Sequence, residues 1–274
     1  MAHAAGIPKV SRLRARQRIG KYRIEKRLGE GGFAGVYQAY DTIEGVRVAL
    51  KVPHAPYVND DVLKDFRSEF RSSSRLRHDN ILAVKDASIV QDRLIIAMPL
   101  GIESLGDRMK RRMSTRRTLH YIEQLLDAVA HAHENDIVHC DIKPENLILF
   151  PDDELRLTDF GVAKVSQKTL SNSIRGTVGH MAPEQAMGRA TYQSDVFAIG
   201  LTSYRLLTGE WPEWPFTWPL PGHKKLRRRV HPKFVAWLKR ALQANPKKRF
   251  RDAVQMRDAY VRIAPTIARH LDSR

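Results

Sequence analysis

The eleven residues from His139 to Leu149 place an acid, a lysine, a proline and a carboxamide directly before an apolar run. Asp141 and Asn146 lie five positions apart, and Pro144 between them excludes both a regular helix and a central strand. We therefore predict a loop that carries the polar side chains. The run that follows, residues 147–150, reads Leu-Ile-Leu-Phe and is predicted to form a buried strand.

A second acid, Asp159, follows Leu149 by ten residues and begins an Asp-Phe-Gly triplet. The two stretches together resemble the catalytic loop and the magnesium-binding loop of protein kinases. From these motifs the chain resembles the catalytic domain of a eukaryotic-type Ser/Thr protein kinase, as found in bacteria. Cys140 stands where the family usually has the arginine of His-Arg-Asp, so the resemblance is to a non-RD variant. A phosphate on the activation segment would lack that arginine as its partner.

Residues 22–28 alternate between apolar and polar side chains, and a glycine-rich turn follows before a second alternating strand ends at Tyr40. Strand, turn and strand predict a hairpin, not the strand-to-helix turn of a dinucleotide site. An ordinary glycine-rich hairpin would show the same pattern. In the kinases that the chain resembles, this loop covers the phosphates of ATP. Ala34 replaces the third glycine, and we expect a modest loss of loop freedom.

Lys51 lies in a third apolar strand, residues 46–52, where it is either a surface lysine or a phosphate ligand. Residues 60–76 show helical spacing of apolar side chains, and Glu69 lies near the apolar face. The resemblance pairs Glu69 with Lys51, because a lysine that binds phosphates needs an anion to orient it. Ser73 takes a position that is usually apolar in the family, so we expect looser packing against Phe160.

Residues 93–98 form the next apolar strand. By the resemblance, its ungapped spacing to Ser104 and Leu105 implies Ala97 at the back of the adenine pocket and residues 98–100, Met-Pro-Leu, at the hinge.

An amphipathic helix follows and is predicted to end near Asn135. His131 and His133, with His139 and Cys140, raise the alternative of a metal site. The first two are two positions apart and would face different ways on a helix, so we do not expect these side chains to bind metal.

The segment from Asp159 to Glu184 is expected to be the activation segment, because residues 176–184 resemble the family's Gly-Thr-x-x-Tyr-x-Ala-Pro-Glu ending, with His180 for the tyrosine. Residues 195–207 are apolar nearly all round, which predicts a buried helix. By the resemblance, Asp195 holds the backbone of the catalytic loop, and Arg249 pairs with Glu184. Residues 208–231 are expected to be irregular, and two helices are expected to close the chain.

The resemblance implies an α+β fold with two lobes, an N-terminal antiparallel sheet with one helix and a mainly helical C-terminal lobe. The expected boundaries are a basic flexible tail over residues 1–20, an N-terminal lobe over 21–98, a C-terminal lobe over 99–264 and a tail over 265–274.

The same resemblance implies transfer of the γ-phosphate of ATP to Ser or Thr hydroxyls of proteins, including the chain itself. Asp141 would orient the attacking hydroxyl and accept its proton, and Lys143 would neutralise the γ-phosphate. That lysine and Thr177 are typical of Ser/Thr kinases. Asn146 and Asp159 would supply oxygen ligands to Mg²⁺, with Mn²⁺ as an alternative. The ATP-binding residues would be Leu28, Gly29, Gly31, Val36, Ala49, Lys51, Glu69, Met98, Leu100, Ile148 and Asp159, with Val36, Ala49 and Ile148 around the adenine.

The net charge of +17 is concentrated in two stretches. Residues 1–20 contain five basic side chains and no acid, and residues 224–229 read Lys-Lys-Leu-Arg-Arg-Arg. Such stretches attract nucleic acid, acidic lipid or acidic protein, or are merely a solvated tail and loop. No aromatic side chains alternate with the arginines for base stacking, so we expect at most non-specific contact of the basic tail with polyanions.

The 42% hydrophobic content is that of a globular protein. No apolar run approaches the roughly 20 residues of a transmembrane segment, and no secretory signal core is present. The only cysteine excludes an internal disulfide, so we expect a cytoplasmic protein, although the acid-poor start also has features of a transit peptide.

Two other function classes use related folds. A pseudokinase would lack Lys51, Asp141, Asn146 or Asp159, and all four are present. A small-molecule phosphotransferase would lack the Ala-Pro-Glu segment. For the protein substrate the sequence gives conflicting indications, because Glu145 could meet an arginine near the phosphorylated residue whereas the basic surface favours acidic targets.

Overall fold

The computed structural model describes residues 12–31, 34–54, 76–91, 93–160 and 181–273. The expected helix with Glu69 and Ser73 lies outside these ranges. So do the part of the activation segment that carries Thr177 and His180, and residues 1–11 of the basic tail.

The N-terminal lobe is a six-stranded antiparallel sheet with the strand order β1-β2-β3-β4-β6-β5. Alternating apolar residues give it a buried face, where Tyr22, Ile24, Leu50 and Ile95 are almost fully shielded from solvent. The strands are β1 Arg18–Ile19, β2 Tyr22–Glu30, β3 Ala34–Asp41, β4 Val46–Pro53, β5 Asp86–Val90 and β6 Arg93–Pro99.

Residues 12–20 include the edge strand β1 of this sheet, although a flexible tail was expected there. β1 pairs with β2, Ile19 is fully buried and Leu13 is 7% exposed. The physical reason is that these two apolar side chains alternate with arginines that remain exposed, so the segment can add to the edge of the sheet despite its charge.

The C-terminal lobe is mainly helical and has a small antiparallel sheet in the order β7-β8-β9. Ser114 caps its long amphipathic helix, and Asn135 follows the last turn, as predicted. Residues 195–207 lie in a buried helix, also as predicted. The strands are β7 Glu103–Ser104, β8 Leu147–Leu149 and β9 Leu155–Leu157, and the helices are α1 Leu105–Arg108, α2 Thr115–Glu134, α3 Pro183–Ala186, α4 Tyr192–Thr208, α5 His223–Arg229, α6 Pro232–Ala241 and α7 Ala253–Asp272.

Two stretches are more ordered than the sequence patterns predicted. Helix α5 lies within the segment that was expected to be irregular. Helix α7 runs through residues 265–272, where a tail was expected, because Ile267 is buried and the helix packs along α2. Within the described ranges, no helix is long and apolar enough to cross a lipid bilayer.

A buried ion pair joins helix α3 to the turn before α7, as the resemblance implied. Arg249 donates to both carboxylate oxygens of Glu184, at 2.7 and 3.0 Å, and its side chain is fully buried. Burial alone would raise the pKa of Glu184, but the hydrogen bonds from Arg249, the backbone and Ser194, with the charge of Arg249, together outweigh it, and the pKa lies below its ordinary value. The pair therefore stabilises the fold above the unfolded-state pKa of Glu184, and this contribution is lost as the pH falls through the lower, folded-state pKa.

We expect Arg249→Met to lower the free energy of unfolding by about 3–5 kcal/mol near neutral pH, because it leaves the largely buried carboxylate of Glu184 without its cation. The difference from wild type should shrink in acid, where Glu184 is protonated in both proteins. Chemical denaturation at several pH values measures this. Arg251→Met is the matched control, because Arg251 pairs with Asp252 but is itself exposed, so its loss should leave stability nearly unchanged. Equal losses of stability in Arg249→Met and Arg251→Met would contradict the stabilising role assigned to the pair of Arg249 and Glu184.

Candidate active site

The loop between α2 and β8 brings three predicted catalytic side chains into direct contact. The Lys143 ammonium group donates to both oxygens of Asp141, at 2.9 and 2.7 Å. The Asn146 amide nitrogen donates to the backbone carbonyl of Asp141 at 2.8 Å and to its carboxylate at 2.9 Å. Both amide hydrogens of Asn146 are thereby used, which leaves its carbonyl oxygen as the atom able to bind a cation.

Asp195 at the start of α4 holds the backbone that precedes Asp141, which confirms the role that the resemblance implied. Its carboxylate accepts the backbone N–H groups of His139, at 2.7 Å, and of Cys140, at 2.9 Å. Cys140 has a φ of 68°, an unfavourable conformation for a residue with a side chain. The Gln185 amide nitrogen donates to the Cys140 carbonyl at 2.5 Å, so both backbone groups of this strained residue are fixed.

The two histidines around this loop act as hydrogen-bonding groups. His133 Nδ1 accepts the backbone N–H of Ala253 at 3.0 Å, so Nε2 carries the proton and donates to Asp195 at 3.0 Å. His139 Nδ1 accepts from the backbone of Asp141, and Nε2 donates to the carbonyl of Thr158 at 2.9 Å. Among the described residues, no group of three or more His, Cys, Asp or Glu side chains is arranged to hold a metal ion.

Lys51 and Asp159 form an ion pair of 2.7 Å across the cleft between the lobes. Burial alone would raise the pKa of Asp159, but the charge of Lys51 and its hydrogen bond outweigh burial, and the pKa lies below its ordinary value. The carboxylate is therefore ionised and available to a cation at neutral pH. Glu69, the partner expected for Lys51, lies outside the described residues.

Strand register places the expected adenine-binding residues on the face of the sheet that carries Lys51. Val36 lies opposite Lys51, and Ala49 opposite Met98. Side chains two positions apart share a face, so these four line one wall. Ile148 packs against the cluster that contains Met98.

The prediction for Ala97 was wrong by one position. Ala97 lies opposite Leu50 and packs with it in the cluster on the other face of the sheet. Ile96 is the residue opposite Lys51, so Ile96, one position earlier, lies on the face where the resemblance led us to expect Ala97. The strand is apolar on both faces and gives no alternation from which the register could be read.

Leu100 is half-buried in the segment that connects the lobes, and the following Gly101 was not anticipated as a site residue. A Cβ atom at Gly101 would lie 2.3 Å from the Ile148 side chain and 2.8 Å from the Leu149 carbonyl. Only glycine therefore lets this segment pack against β8.

Contacts among the described residues give no reason for glycine at two positions of the glycine-rich turn, Gly29 and Gly31. A Cβ atom at Gly29 would meet nothing within 4 Å, and one at Gly31 would make only ordinary contact, 3.7 Å from the Ala34 carbonyl. Leu28, Gly29 and Gly31 are all exposed. Since the fold itself does not require glycine at these two positions, the space is available for close approach of a ligand.

Glu145 in the catalytic loop already has a cationic neighbour in the protein. The guanidinium group of Arg205 lies 3.5 Å from its carboxylate. Arg205 also stacks on the ring of Trp211 at 4.0 Å, which holds the guanidinium group in place. This arrangement weakens the case for Glu145 as a receptor for a substrate arginine.

Comparison with known proteins adds an independent observation. The family model described as the protein kinase domain matches residues 22–258. The chain is 38% identical over 204 residues to the serine/threonine-protein kinase PrkC of Bacillus subtilis, an alignment that covers 70% of this chain and 31% of that protein. It is 31% identical to the Aurora kinase of Schizosaccharomyces pombe over 94% of this chain and 76% of that one.

Solved structures show the same fold. The Mycobacterium tuberculosis PknI kinase domain, as a C20A_R136N double mutant, superposes with a TM-score of 0.74 at 24% identity, over 92% of this chain and 100% of that one. The chain spans only about a third to a half of the length of several curated bacterial relatives.

Proposed function

The chain belongs to the protein kinase family, and we propose that it transfers the γ-phosphate of ATP to Ser or Thr hydroxyls of proteins. The observation that carries this proposal is the meeting of Asp141, Lys143 and Asn146 on one loop, at the cleft where Lys51 reaches Asp159. Phosphoryl transfer depends mainly on positioning and on charge neutralisation, and these side chains supply both.

Asp141 is the group that orients the attacking hydroxyl and accepts its proton. Its carboxylate is held by Lys143 and Asn146, so its direction is fixed before a substrate arrives. Lys143 lies beside it and is the cation for the transferred phosphate. Lys51 is the cation for the α- and β-phosphates of ATP.

The Asn146 carbonyl oxygen and the Asp159 carboxylate would hold Mg²⁺, with Mn²⁺ as an alternative. They fit a hard cation because both offer oxygen, and Asp159 is ionised. The metal supplies neutralisation of phosphate charge when it is bound.

The adenine lies, in this proposal, between Val36 and Ala49 on the sheet and Ile148 on β8, next to Met98 and Leu100. Leu28 would close the pocket from the glycine-rich turn. Gly29 and Gly31 would let the backbone approach the phosphates, for which the open space above them is support.

Cys140 is buried and uncharged, so it offers no guanidinium group to an activation-segment phosphate. We therefore expect that activity does not depend on such a phosphate. Availability of ATP and the single cysteine also favour the cytoplasmic location that we propose for this chain.

We expect the purified chain to incorporate radiolabelled γ-phosphate into itself or into a generic Ser/Thr substrate in the presence of Mg²⁺. Asp159→Asn should abolish most of this incorporation, because the amide has no charge to offer a cation, and chelation of the metal should do the same to the wild type. Incorporation by the wild type that does not exceed that of Asp159→Asn would favour the alternative, a nucleotide-binding pseudokinase.

A further inference from the structure

The lower part of the C-terminal lobe is built from an unusually basic stretch. Residues 214–251 contain twelve lysines and arginines and no acid. They include α5, α6 and the turn Pro246–Lys248. The acidic residues next to this stretch in sequence are Glu213 and Asp252.

Some of these cations have roles inside the fold. Arg249 pairs with Glu184, and Arg229 donates to the backbone carbonyls of Leu207 and Met113. Others are exposed and have no carboxylate partner among the described residues, so they present positive charge to solvent. These are Lys224, Arg227, Lys233, Lys239, Lys247 and Lys248.

A groove of about 600 Å³ lies between α5 and α6 within this basic surface. Trp218, Val235 and Ala236 contribute to its apolar lining, and Arg227 and Lys239 contribute the charges. We call it the α5–α6 groove. An apolar lining with two cations suits a ligand that has an apolar group between anionic ones.

Two polar atoms among the lining residues lack hydrogen-bond partners within the described part of the chain. They are the indole nitrogen of Trp218 and Nδ1 of His223, and both are buried. The two rings pack edge to face, with centroids 5.4 Å apart. Both atoms are closed off from solvent, so the two rings form a fixed wall of the groove and offer no hydrogen-bonding group to a ligand.

The geometry of the aromatic rings favours a peptide over a nucleic acid. Trp218 packs edge to face against both His223 and Tyr204, an arrangement that locks the indole into the groove wall. Single-stranded nucleic acids bind through open aromatic faces on which the bases stack. An apolar amino-acid side chain matches the lining better.

We propose that the α5–α6 groove docks an acidic peptide segment with a central apolar residue, carried by the protein substrates of this kinase. The assignment of the peptide to protein substrates rests on the proposed function, but the binding of an acidic peptide in the groove does not. The pairing of Glu145 with Arg205 points the same way, because the active-site acid that would otherwise favour basic substrates is already occupied.

The probe is a fluorescein-labelled peptide, Asp-Glu-Asp-Phe-Glu-Asp-Glu, whose binding is followed by fluorescence anisotropy at physiological salt. We compare Arg227→Glu/Lys239→Glu with Lys247→Glu/Lys248→Glu, which changes the net charge equally on the same basic surface but outside the groove. The groove variant should bind at least about tenfold more weakly than wild type. The control should change affinity by less than about threefold, because salt screens distant charges.

Replacement of the central Phe of the probe by Ala should also weaken binding to wild type. Equal weakening in both charge-reversal variants would overturn the proposal in favour of diffuse attraction, and so would an unchanged affinity for the Ala probe. The wild type could bind a short oligothymidine more tightly than the peptide, and the groove variant could lose that binding. This result would overturn the proposal in favour of a nucleic-acid surface. The neutral variant Arg227→Gln/Lys239→Gln gives the same comparison if charge reversal prevents folding.

Binding is measured without ATP and repeated with Lys51→Met, so it reports on the groove even if the chain transfers no phosphate. With active protein, fusing the docking segment to a generic Ser/Thr peptide should lower KM and leave kcat unchanged. The groove variant should lose that KM advantage. An equal KM for the fused and unfused peptides would overturn the role of the groove in substrate docking without touching the proposed activity.

Discussion

Asp141→Asn should lower the rate of phosphoryl transfer by about 10²–10⁴-fold, the usual contribution of a positioned general base. Asparagine has nearly the same shape, and its side-chain oxygen can still accept the hydrogen bond from the Asn146 amide, so the fold of the loop should persist. It cannot accept the proton, and it no longer anchors Lys143 by charge. Because Asp141 is not assigned to ATP, the KM for ATP should change little while kcat falls. Steady-state kinetics with a generic peptide measure both.

Lys51→Met tests the other side of the same cleft. It removes the cation assigned to the α- and β-phosphates and leaves Asp159 without its partner at 2.7 Å. Both affinity for ATP and kcat should fall. Lys85→Met is the matched control, because Lys85 directly precedes β5 of the same lobe and pairs with the exposed Glu44. Asp141→Asn activity equal to that of wild type would reject the assignment of Asp141 as the base, and an effect of Lys85→Met would indicate general destabilisation.

The catalytic loop could be predicted from sequence because its contacts are local. Asp141, Lys143 and Asn146 lie within six positions, and Pro144 restricts the backbone between them. The resemblance led us to expect Val36 and Ala49 around the adenine, and the register of β3 and β4 places both on the face that carries Lys51. The roles assigned to these residues toward ATP remain proposals.

What the sequence could not predict depends on partners far along the chain. Gln185 fixes the Cys140 carbonyl from 45 positions away, and no local pattern marks a glutamine for that role. Gly101 is required by the Ile148 side chain, which only the folded chain brings near. The burial of Leu13 and Ile19 likewise depends on packing against the sheet, so a basic composition alone suggested a tail.

Asp195→Asn should affect stability and catalysis together, because one carboxylate accepts three hydrogen bonds. It receives the backbone N–H groups of His139 and Cys140 and the Nε2–H of His133, all within a region shielded from solvent. Asparagine keeps one acceptor oxygen and turns an NH₂ group toward the remaining donors. Hydrogen bonds to charged groups contribute about 1.5–3 kcal/mol each, so the free energy of unfolding should fall by roughly 3–5 kcal/mol.

The catalytic consequence follows from the backbone of Cys140. Its φ of 68° is unfavourable and is held by the hydrogen bond to Asp195. When that bond is lost, the peptide can relax, and the adjacent Asp141 moves away from the cleft. We therefore expect kcat to fall at least about tenfold at temperatures where the variant is still folded, with the KM for ATP nearly unchanged.

Asp127→Asn is the matched control for this variant. Burial raises the pKa of Asp127 on α2, so its ionised form is disfavoured there and a neutral amide should cost little. Chemical denaturation and steady-state kinetics on both proteins separate the outcomes. A loss of stability in Asp195→Asn with an unchanged kcat would mean that the catalytic loop keeps its strained backbone without this carboxylate. The hydrogen bond from Gln185 to the Cys140 carbonyl would then be the contact that fixes Asp141.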